Sequence, residues 1–450
     1  MALSKEEKVF ATVISLSHGV QHFFMRLVPP LIPILVVDLE YPLWVFGLLV
    51  SIYSVSDGVF QAVFGVLSDR YDRRYILAPG IGAMGVGYLV FALAPRIGLL
   101  LPAITLRGTV FDGPYLIMCV AMLIAGAGGS VLHPTGYPLI TENSALENKG
   151  RILGLWGSTA KFGDAAAPGL IGILTLVLVW SEMVFIFGLL GIGYAIVLFF
   201  ILGQNRFDTL PRSHRLKETD DDGERDDEET ADETSVWKLD RRVFIYPMVV
   251  ILLFFFARII ATRGVDTFIP QFVTSVYGYS YTFLGYEIPP EAVANFYFTV
   301  LLVMAGVMQL LTGYLTDKYD PRSVLIWFLT VSALALAVLS YIQLTPLALL
   351  LVLLVIGAGL WGHNPARDAL ISEITPARLE GRTFGYVWSG TLVIAAISPI
   401  FIGYVADTTS IQNAFKFLAL AAIIAALSII LLYSSAIYLR AGKAAEQATD

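Results

Sequence analysis

The sequence predicts an all-α membrane protein whose twelve transmembrane helices form two pseudo-symmetric six-helix bundles. Its 450 residues are 57% hydrophobic and only 14% charged, whereas about a quarter of the residues of a soluble chain are charged. Apolar runs of the roughly 20 residues that cross a bilayer core recur along the whole chain. The second half also repeats motifs of the first. A soluble helical protein is excluded, because its helices would need polar faces that these runs lack.

The apolar runs set the order of the predicted elements. They lie at about 9–37, 42–67, 75–94, 115–141, 151–177 and 181–203, and then at about 243–276, 293–315, 322–342, 346–372, 383–406 and 411–438. The first run is too long and too polar for a cleaved signal peptide, so we expect it to be retained as the first helix. The predicted domains are an N-terminal bundle (1–203), a linker (204–242), a C-terminal bundle (243–440) and a tail (441–450).

The net charge of −7 comes mainly from one acidic segment, Glu218 to Glu233. This part of the linker reads KETDDDGERDDEETADET; its like charges repel and it offers no apolar residue to pack, so we predict disorder. A plain linker is the simpler interpretation, and a regulatory segment is the alternative. The remainder is near neutral, so no nucleic-acid surface is expected. The single cysteine, Cys119, excludes an intramolecular disulfide.

Basic residues predict the orientation in the membrane. With the N-terminus inside, the outer loops contain only Arg96 and Arg107, with Lys416 near an outer helix end. The inner loops contain Arg70, Arg73, Arg74, Lys149, Arg151, Lys318, Arg322, Arg378 and Arg382. We therefore expect a multi-pass protein of the plasma membrane with both termini in the cytoplasm.

The two halves repeat each other. GAGGSVLHPTGYPLITENSALENKGRILG begins at Gly126, and GAGLWGHNPARDALISEITPARLEGRTFG begins at Gly357. GVLSDRYDRR at Gly65 matches GYLTDKYDPR at Gly313. In the first and seventh runs, MRLVPPLIP aligns with TRGVDTFIP. This alignment puts Arg26 opposite Arg263. Two parallel repeats about an axis along the membrane normal are a known plan of secondary transporters.

These motifs carry a family resemblance that covers the whole chain. GVLSDRYDRR resembles the signature Gly-x-Leu-x-Asp-Arg-x-Gly-Arg-Arg/Lys between the second and third helices of the major facilitator superfamily. Asp72 stands where that family usually has glycine. LHPTGYPLI and GSTAKFGDAAAPGLIG are similar to helices of the fosmidomycin-resistance-type exporters. The resemblance implies alternating access by a monomer in the lipid bilayer, with efflux as the direction.

The resemblance also implies gating residues. Asp69 is expected to bind arginines of its loop and the positive start of a neighbouring helix, as a latch that opens during transport. The expected gating set is Gly65, Asp69, Arg70, Arg73 and Asp317. The alternative is that these charges only orient the protein. GDAAAPGLIG, at 163–172, resembles a fifth-helix pattern of antiporters; it predicts close packing against the partner half or ordinary small-residue packing.

Charged residues inside the predicted spans carry the functional prediction. Each costs about 2.5–3.5 kcal/mol at bilayer depth, so we expect them to face a cavity. The candidate substrate-binding residues are Arg26, Arg263, His22 and Arg258. The candidate proton-coupling residues are His18, His22, Asp57, Lys161, Asp164, His133 and Asp266. The plainer alternatives are internal pairs three residues apart, Lys161 with Asp164 and Arg263 with Asp266, and structural roles for His133 at a helix break and for His363.

Arg26 and Arg263 indicate the substrate class. The superfamily's organophosphate antiporters similarly place one arginine on each of these two helices, and fosmidomycin is a phosphonate. We therefore expect a secondary active transporter of a small anion (phosphonate, organophosphate or carboxylate), with proton-coupled efflux. The alternative is a proton-coupled multidrug or cation exporter that uses Asp57 or Asp164 as its counter-charge.

Other classes are disfavoured. His18 and His22, four residues apart, could hold a metal with His133, but Arg26 one turn further would repel it. We therefore expect no metal site. No nucleotide-binding loop or nucleophile motif occurs, so neither an enzyme nor a cofactor is expected. A non-transporting receptor on the same fold is the remaining alternative.

Overall fold

The computed structural model describes residues 3–106, 108–211, 241–283, 285–374 and 380–433, with side chains described at all of these except 241–248 and 372–390. The acidic segment 218–233, the tail 441–450 and Arg107 lie outside the described residues. The predictions made for them therefore stay predictions.

The first half of the chain contains eight described helices and one hairpin. The helices are α1 (Lys5–Met25), α2 (Val28–Leu39), α3 (Leu43–Ser68), α4 (Arg74–Ile97), α5 (Gly113–Gly129), α6 (Leu132–Glu142), α7 (Leu146–Leu174) and α8 (Trp180–Leu202). The hairpin joins β1 (Ile104–Leu106) to β2 (Thr109–Phe111), with Ile104 opposite Phe111.

The second half contains seven described helices and a second hairpin. The helices are α9 (Arg241–Phe272), α10 (Pro290–Thr316), α11 (Pro321–Tyr341), α12 (Pro346–Gly362), α13 (Asn364–Ile374), α14 (Glu380–Thr408) and α15 (Ile411–Leu431). The hairpin joins β3 (Tyr281–Phe283) to β4 (Tyr286–Ile288).

These helices confirm the predicted fold class, an all-α membrane protein. Each of the twelve predicted segments contains one helix or two helices in tandem. Within the described residues, ten continuous helical stretches are long and apolar enough to cross a membrane. The other two segments contain α7 and α9, which carry more charged residues.

Three of the predicted segments are broken into tandem helices. The first ends one helix at Met25 and begins the next at Val28, because Pro29 and Pro30 have no N–H with which to continue the helix. The break leaves Arg26 as the C-terminal cap of α1. The fourth and tenth segments break just before Pro134 and Pro365, which occupy the first turns of α6 and α13, where proline is tolerated.

Contacts divide the chain into two units. The first contains residues 1–223 and 273–299, and the second contains residues 224–272 and 300–450. The segment 273–299, which the sequence repeat assigns to the second half, thus belongs with the first unit. There the Asn295 side-chain amide donates to the Pro30 carbonyl at 3.1 Å.

The small-residue pattern of α7 explains part of this packing. A Cβ at Gly172 would lie 3.1 Å from Cβ of Asn295, and one at Gly169 would lie 3.4 Å from Oγ1 of Thr299. The end of α7 therefore packs closely on the first turns of α10. This contact agrees with the prediction that the pattern packs against a segment of the other sequence half.

Candidate functional site

The first helix carries a stripe of polar side chains. His18, His22 and Arg26 are spaced by four residues, so they lie on one face of α1. Helix α7 meets this face at a pair of glycines: a Cβ on Gly163 would collide with the carbonyl oxygen of Gly19. Because neither glycine has a side chain, α1 and α7 approach closely. Polar residues of α7 therefore lie against the polar face of α1.

Asp164 is the centre of the resulting cluster. Its Oδ1 accepts from His22 Nδ1 and from Arg26 Nε, both at 3.0 Å, and its Oδ2 accepts from Lys161 Nζ at 2.9 Å. The Asp164 residue is only 1% exposed. A carboxylate at this depth is stable only when it is paired and hydrogen-bonded, which these three groups achieve.

Asp164 and the two basic side chains that contact it sum to a positive charge. Arg26 and Lys161 contribute two positive charges and Asp164 one negative charge, which leaves a net charge of +1 with the histidines neutral. Protonation of His22 would raise the net charge further. The prediction of an internal Lys161–Asp164 pair is confirmed, but the pair belongs to this larger network, which also includes the predicted residues Arg26 and His22.

His18 lies beside this network. Its Nδ1 lies 2.7 Å from the carbonyl oxygen of Trp156, so Nδ1 must carry a proton and donate. Its Nε2 is buried and has no hydrogen-bond partner among the described residues. The His18 ring stacks on Trp156 at 3.7 Å between centroids and meets the edge of the His133 ring at 5.4 Å. His18 is therefore held as a neutral imidazole in its Nδ1–H form.

The second unit contains a different polar cluster. Arg258 Nε donates to His363 Nε2 at 2.8 Å, and Arg258 Nη2 donates to Asn364 Oδ1 at 2.6 Å. His363 Nδ1 in turn donates to the Gly359 carbonyl at 2.7 Å. Since Nε2 accepts and Nδ1 donates, His363 is held as a neutral ring. The alternative of a structural role for His363 fits this arrangement.

The remaining predicted residues lie elsewhere. Arg263 and Asp266 are one turn apart on α9 in the second unit, where Asp266 is buried. Asp57 is half-buried on α3, at the point where Gly126 of α5 packs against the α3 backbone. Arg26 belongs to the first unit and Arg263 to the second, so their joint anion site stays a prediction.

The charged residues of the signature loop differ in burial. Asp69, Arg70 and Asp317 are exposed, and a Cβ at Gly65 would meet no atom within 4 Å. Arg73 is buried and forms an ion pair with Glu142 at 2.5 Å. Sequence reasoning named Arg73 but missed Glu142. The available signal was the repeat, in which Glu142 aligns with Glu373.

Asp72, which departs from the family signature, has a structural role. Its Oδ1 accepts from the backbone N–H of Arg74, the first residue of α4, at 2.9 Å. Asp320 does the same at the start of α11, where it accepts from Arg322 N at 2.8 Å. Hydrogen bonds from the Arg322 side chain hold the pKa of Asp320 below its usual value. The repeats thus share a helix cap at this position.

The metal alternative gains no support. Among the described side chains, no group of three or more histidine, cysteine, aspartate or glutamate residues is arranged to hold a metal ion. Within the Asp164 cluster, the carboxylate is already bound by cationic groups.

Comparison with known sequences identifies the family. The profile of the Major Facilitator Superfamily matches residues 14–290 and 288–448. The chain is 26% identical over 160 residues to the probable L-galactonate transporter of Escherichia coli K12, covering 36% of this chain and 31% of that protein. It is 28% identical over 159 residues to the class G tetracycline resistance protein of Vibrio anguillarum (35% and 36%). It is also 28% identical over 191 residues to the enterobactin exporter EntS of Citrobacter koseri (41% of each). The match thus spans about a third to two-fifths of the length of these relatives.

Solved structures share the fold over nearly the whole chain. A D-xylose-proton symporter superposes with a TM-score of 0.71 at 15% identity, covering 94% of this chain and 96% of that chain. A bacterial homologue of the human lysosomal transporter Spinster, in an inward-facing conformation, gives a TM-score of 0.68 at 13% identity, covering 99% of both chains. With the profile match over both halves, these observations establish that the chain belongs to the Major Facilitator Superfamily.

Proposed function

We propose that this protein is a secondary active transporter that moves a small anion by alternating access and couples its movement to protons at Asp164. The observation that carries the proposal is the arrangement of Arg26, Lys161 and His22 around one buried carboxylate. A substrate phosphonate or carboxylate offers the same oxygens to the guanidinium as Asp164 does. The anion and Asp164 therefore compete for the same cations.

This competition sets the sign of the coupling. Protonation of Asp164 releases Arg26 and Lys161 from their carboxylate, and protonation of His22 adds a positive charge. Either event strengthens the attraction for an anion, so proton and anion bind together. Coupling between two such sites is typically about 1–3 kcal/mol, and it is reciprocal. The cluster therefore supports movement of proton and anion in the same direction.

The family relatives add support from outside the structure. One matching protein carries the name of an L-galactonate transporter, and galactonate is a carboxylate. The resemblance to fosmidomycin-resistance-type exporters supports a phosphonate and efflux.

An exporter built on this cluster would release its proton with the anion, so its export would run on exchange with another anion. Export that survives a protonophore would support this exchange, whereas collapse would indicate proton antiport and contradict coupling in the same direction.

A second candidate is a proton-coupled cation exporter. The buried carboxylate of Asp164 favours it, and one relative carries the name of a tetracycline resistance protein. A cationic drug would displace Lys161 or Arg26 from Asp164. Protonation of Asp164 would then weaken drug binding, which is the linkage of an antiporter. The two candidates thus differ in the sign of the pH dependence of ligand binding.

A thermal-shift screen of the purified protein tests the proposal. The probes are gluconate, methylphosphonate, glycerol 3-phosphate and tetraphenylphosphonium, since a ligand that binds only the folded state raises the melting temperature. We expect an anion to stabilise the protein, and more so at acid pH. Gluconate is the informative probe because its own charge is constant above about pH 5. Stabilisation by tetraphenylphosphonium alone would favour the cation exporter.

Lysine variants test the anion contact itself. Arg26→Lys and Arg263→Lys keep the charge but lose the planar fork. Each should weaken anion binding by about 1.5–3 kcal/mol, which is roughly ten- to hundredfold. The two changes should be non-additive if one ligand touches both residues. Arg96→Lys at the exposed end of α4 is the matched control. Wild-type affinity in both variants would refute the proposal.

The proposed orientation has its own test. Single cysteines are placed at positions 107 and 225 in a Cys119→Ala background. Only the cysteine at position 107 should react with an impermeant thiol reagent in intact cells. Labelling at position 225 from outside would contradict cytoplasmic termini.

A further inference from the structure

Helices α4 and α8 enclose an apolar groove of about 420 Å³ on their outer side. Pro79, Gly82 and Val86 of α4 line one wall, and Ile192, Ile196 and Phe200 of α8 line the other. The groove exists because Gly82 has no side chain; a Cβ there would lie 3.4 Å from Cβ of Ala195. It follows α4 for two helical turns, about 12 Å.

The apolar walls of the groove are open to their surroundings. Phe200 is 69% exposed, Ile196 is 53% exposed and Val86 is 42% exposed. In a membrane-spanning helix pair, such side chains face lipid chains. The groove therefore continues the lipid-facing surface of the bundle and is shaped to receive one extended hydrocarbon chain.

Arg74 lies at one end of the groove, one helical turn before Ala78. Its guanidinium lies over the rings of Tyr75 and Phe199, 4.6 and 4.9 Å from their centroids, and Nη2 donates to the Tyr75 hydroxyl at 2.6 Å. Arg74 Nε is buried and has no hydrogen-bond partner among the described residues. Asp72 Oδ2 lies 4.0 Å from Nε, so the two side chains form a long ion pair without a hydrogen bond.

We propose that this groove binds a glycerophospholipid, with an acyl chain between α4 and α8 and the phosphodiester on Arg74. Arginine at the end of a membrane helix is suited to bind phosphate. Arg74 is also the first residue of α4, where the N-terminal partial positive charge adds to its own. The apolar walls favour an acyl chain, and the guanidinium favours a phosphate. A glycerophospholipid contains both groups in one molecule.

The opposite end of the same helix pair provides an internal contrast. A groove of about 490 Å³ lies there, with Arg96 of α4 and Glu182 of α8 in its lining. Arg74 also has a carboxylate nearby, Asp72 at 4.0 Å. Arg96 lines a separate groove of the same helix pair, so it is the control for an arginine at the other end of that pair.

The test measures the melting temperature of the detergent-purified protein with phosphatidylglycerol, with diacylglycerol of the same chains, and with glycerophosphoglycerol, which has the headgroup but no chains. In wild type we expect phosphatidylglycerol to stabilise more than either of the others. Arg74→Gln should reduce the phosphatidylglycerol shift to the diacylglycerol value. Gly82→Leu, which fills the groove, should lose both shifts, and Arg96→Gln should respond as wild type does.

Two results would overturn the proposal. One is an undiminished phosphatidylglycerol shift in Arg74→Gln, which would mean that this arginine does not hold the phosphate. The other is an equal shift from the chain-free headgroup in wild type, which would assign the binding to a free phosphodiester. If Gly82→Leu fails to fold, the Arg74→Gln comparison still decides between these outcomes.

Discussion

The two units place an arginine on corresponding helices but provide it with different hydrogen-bond acceptors. In the first unit Arg26 of α1 binds the carboxylate of Asp164, which also holds Lys161 and His22. In the second unit Arg258 of α9 binds the neutral acceptors His363 and Asn364. Within the described residues, none of the hydrogen bonds of Arg258 reaches a carboxylate. The acceptor in the first cluster is thus an ionisable carboxylate, whereas the acceptors in the second are neutral groups.

This difference separates two tasks of a coupled transporter. A group that senses protons needs an acceptor whose protonation changes the bonds around it, and Asp164 has that property. A group that only attracts an anion needs a constant charge, and Arg258 has that property. We therefore extend the proposed function: the first unit couples transport to protons, and the cluster of the second unit should act independently of pH.

The largest effect should come from Asp164→Asn. It leaves Arg26 and Lys161 without their carboxylate, and breaking a buried ion pair in this way costs about 3–5 kcal/mol. We expect a marked fall in melting temperature, which an anion that replaces the carboxylate partly restores. Asp69→Asn, in the exposed signature loop, is the control for stability. Equal melting temperatures for wild type and Asp164→Asn would show that Asp164 does not stabilise the cluster.

A smaller loss is expected from Arg258→Gln. The change leaves the His363 and Asn364 acceptors without their donor, at a cost of about 1–3 kcal/mol. Because no proton is exchanged at this site, the loss should be the same at about pH 8 and about pH 5.5, the range over which histidine titrates. Thermal unfolding at both pH values measures it. A loss that disappears at one pH would show that the second cluster also titrates.

Variants of His22 and His363 test the difference in pH dependence between the two clusters. His22→Gln removes the imidazole that donates to Asp164 and should cost only about 0.5–1.5 kcal/mol, but it should flatten the pH dependence of transport. His363→Gln should leave that pH dependence unchanged, since His363 is held neutral by its two hydrogen bonds. Initial transport rates at several pH values separate the two variants. The comparison fails if His363→Gln changes the profile as much as His22→Gln does.

The smallest effect on stability should come from Asp69→Asn in the exposed signature loop, within about 0.5 kcal/mol of wild type. Transport should nevertheless slow, because loss of the latch shifts the balance between conformations. Asp317→Asn in the second copy should slow it less, since Pro321 stands where the first copy has Arg73. Unchanged transport rates in Asp69→Asn would refute the latch.

Much of this architecture was predictable because it depends on local sequence. Runs of apolar residues predict the spans, and four-residue spacing predicts the polar stripe of His18, His22 and Arg26. Three-residue spacing likewise predicts the pairing of Lys161 with Asp164. These features require only the geometry of a single helix.

The rest depends on which helices meet. Arg26 reaches Asp164, 138 residues away, because Gly19 and Gly163 allow α1 and α7 to touch. Arg73 pairs with Glu142 across 69 residues. The neutral state of His363 follows from Arg258, 105 residues away. The spacing rules that describe one helix contain no information on these contacts.

The pH dependence of anion affinity tests the central claim most directly. The measurement is a titration of wild type and Asp164→Asn with gluconate, or with the tightest anion of constant charge, at about pH 8 and about pH 5.5. For wild type we expect affinity to rise at the lower pH, within the 5- to 150-fold range of typical coupling. Asp164→Asn, which resembles the protonated carboxyl, should bind tightly at both pH values. A wild-type affinity that stays constant or falls at the lower pH would contradict coupling through Asp164.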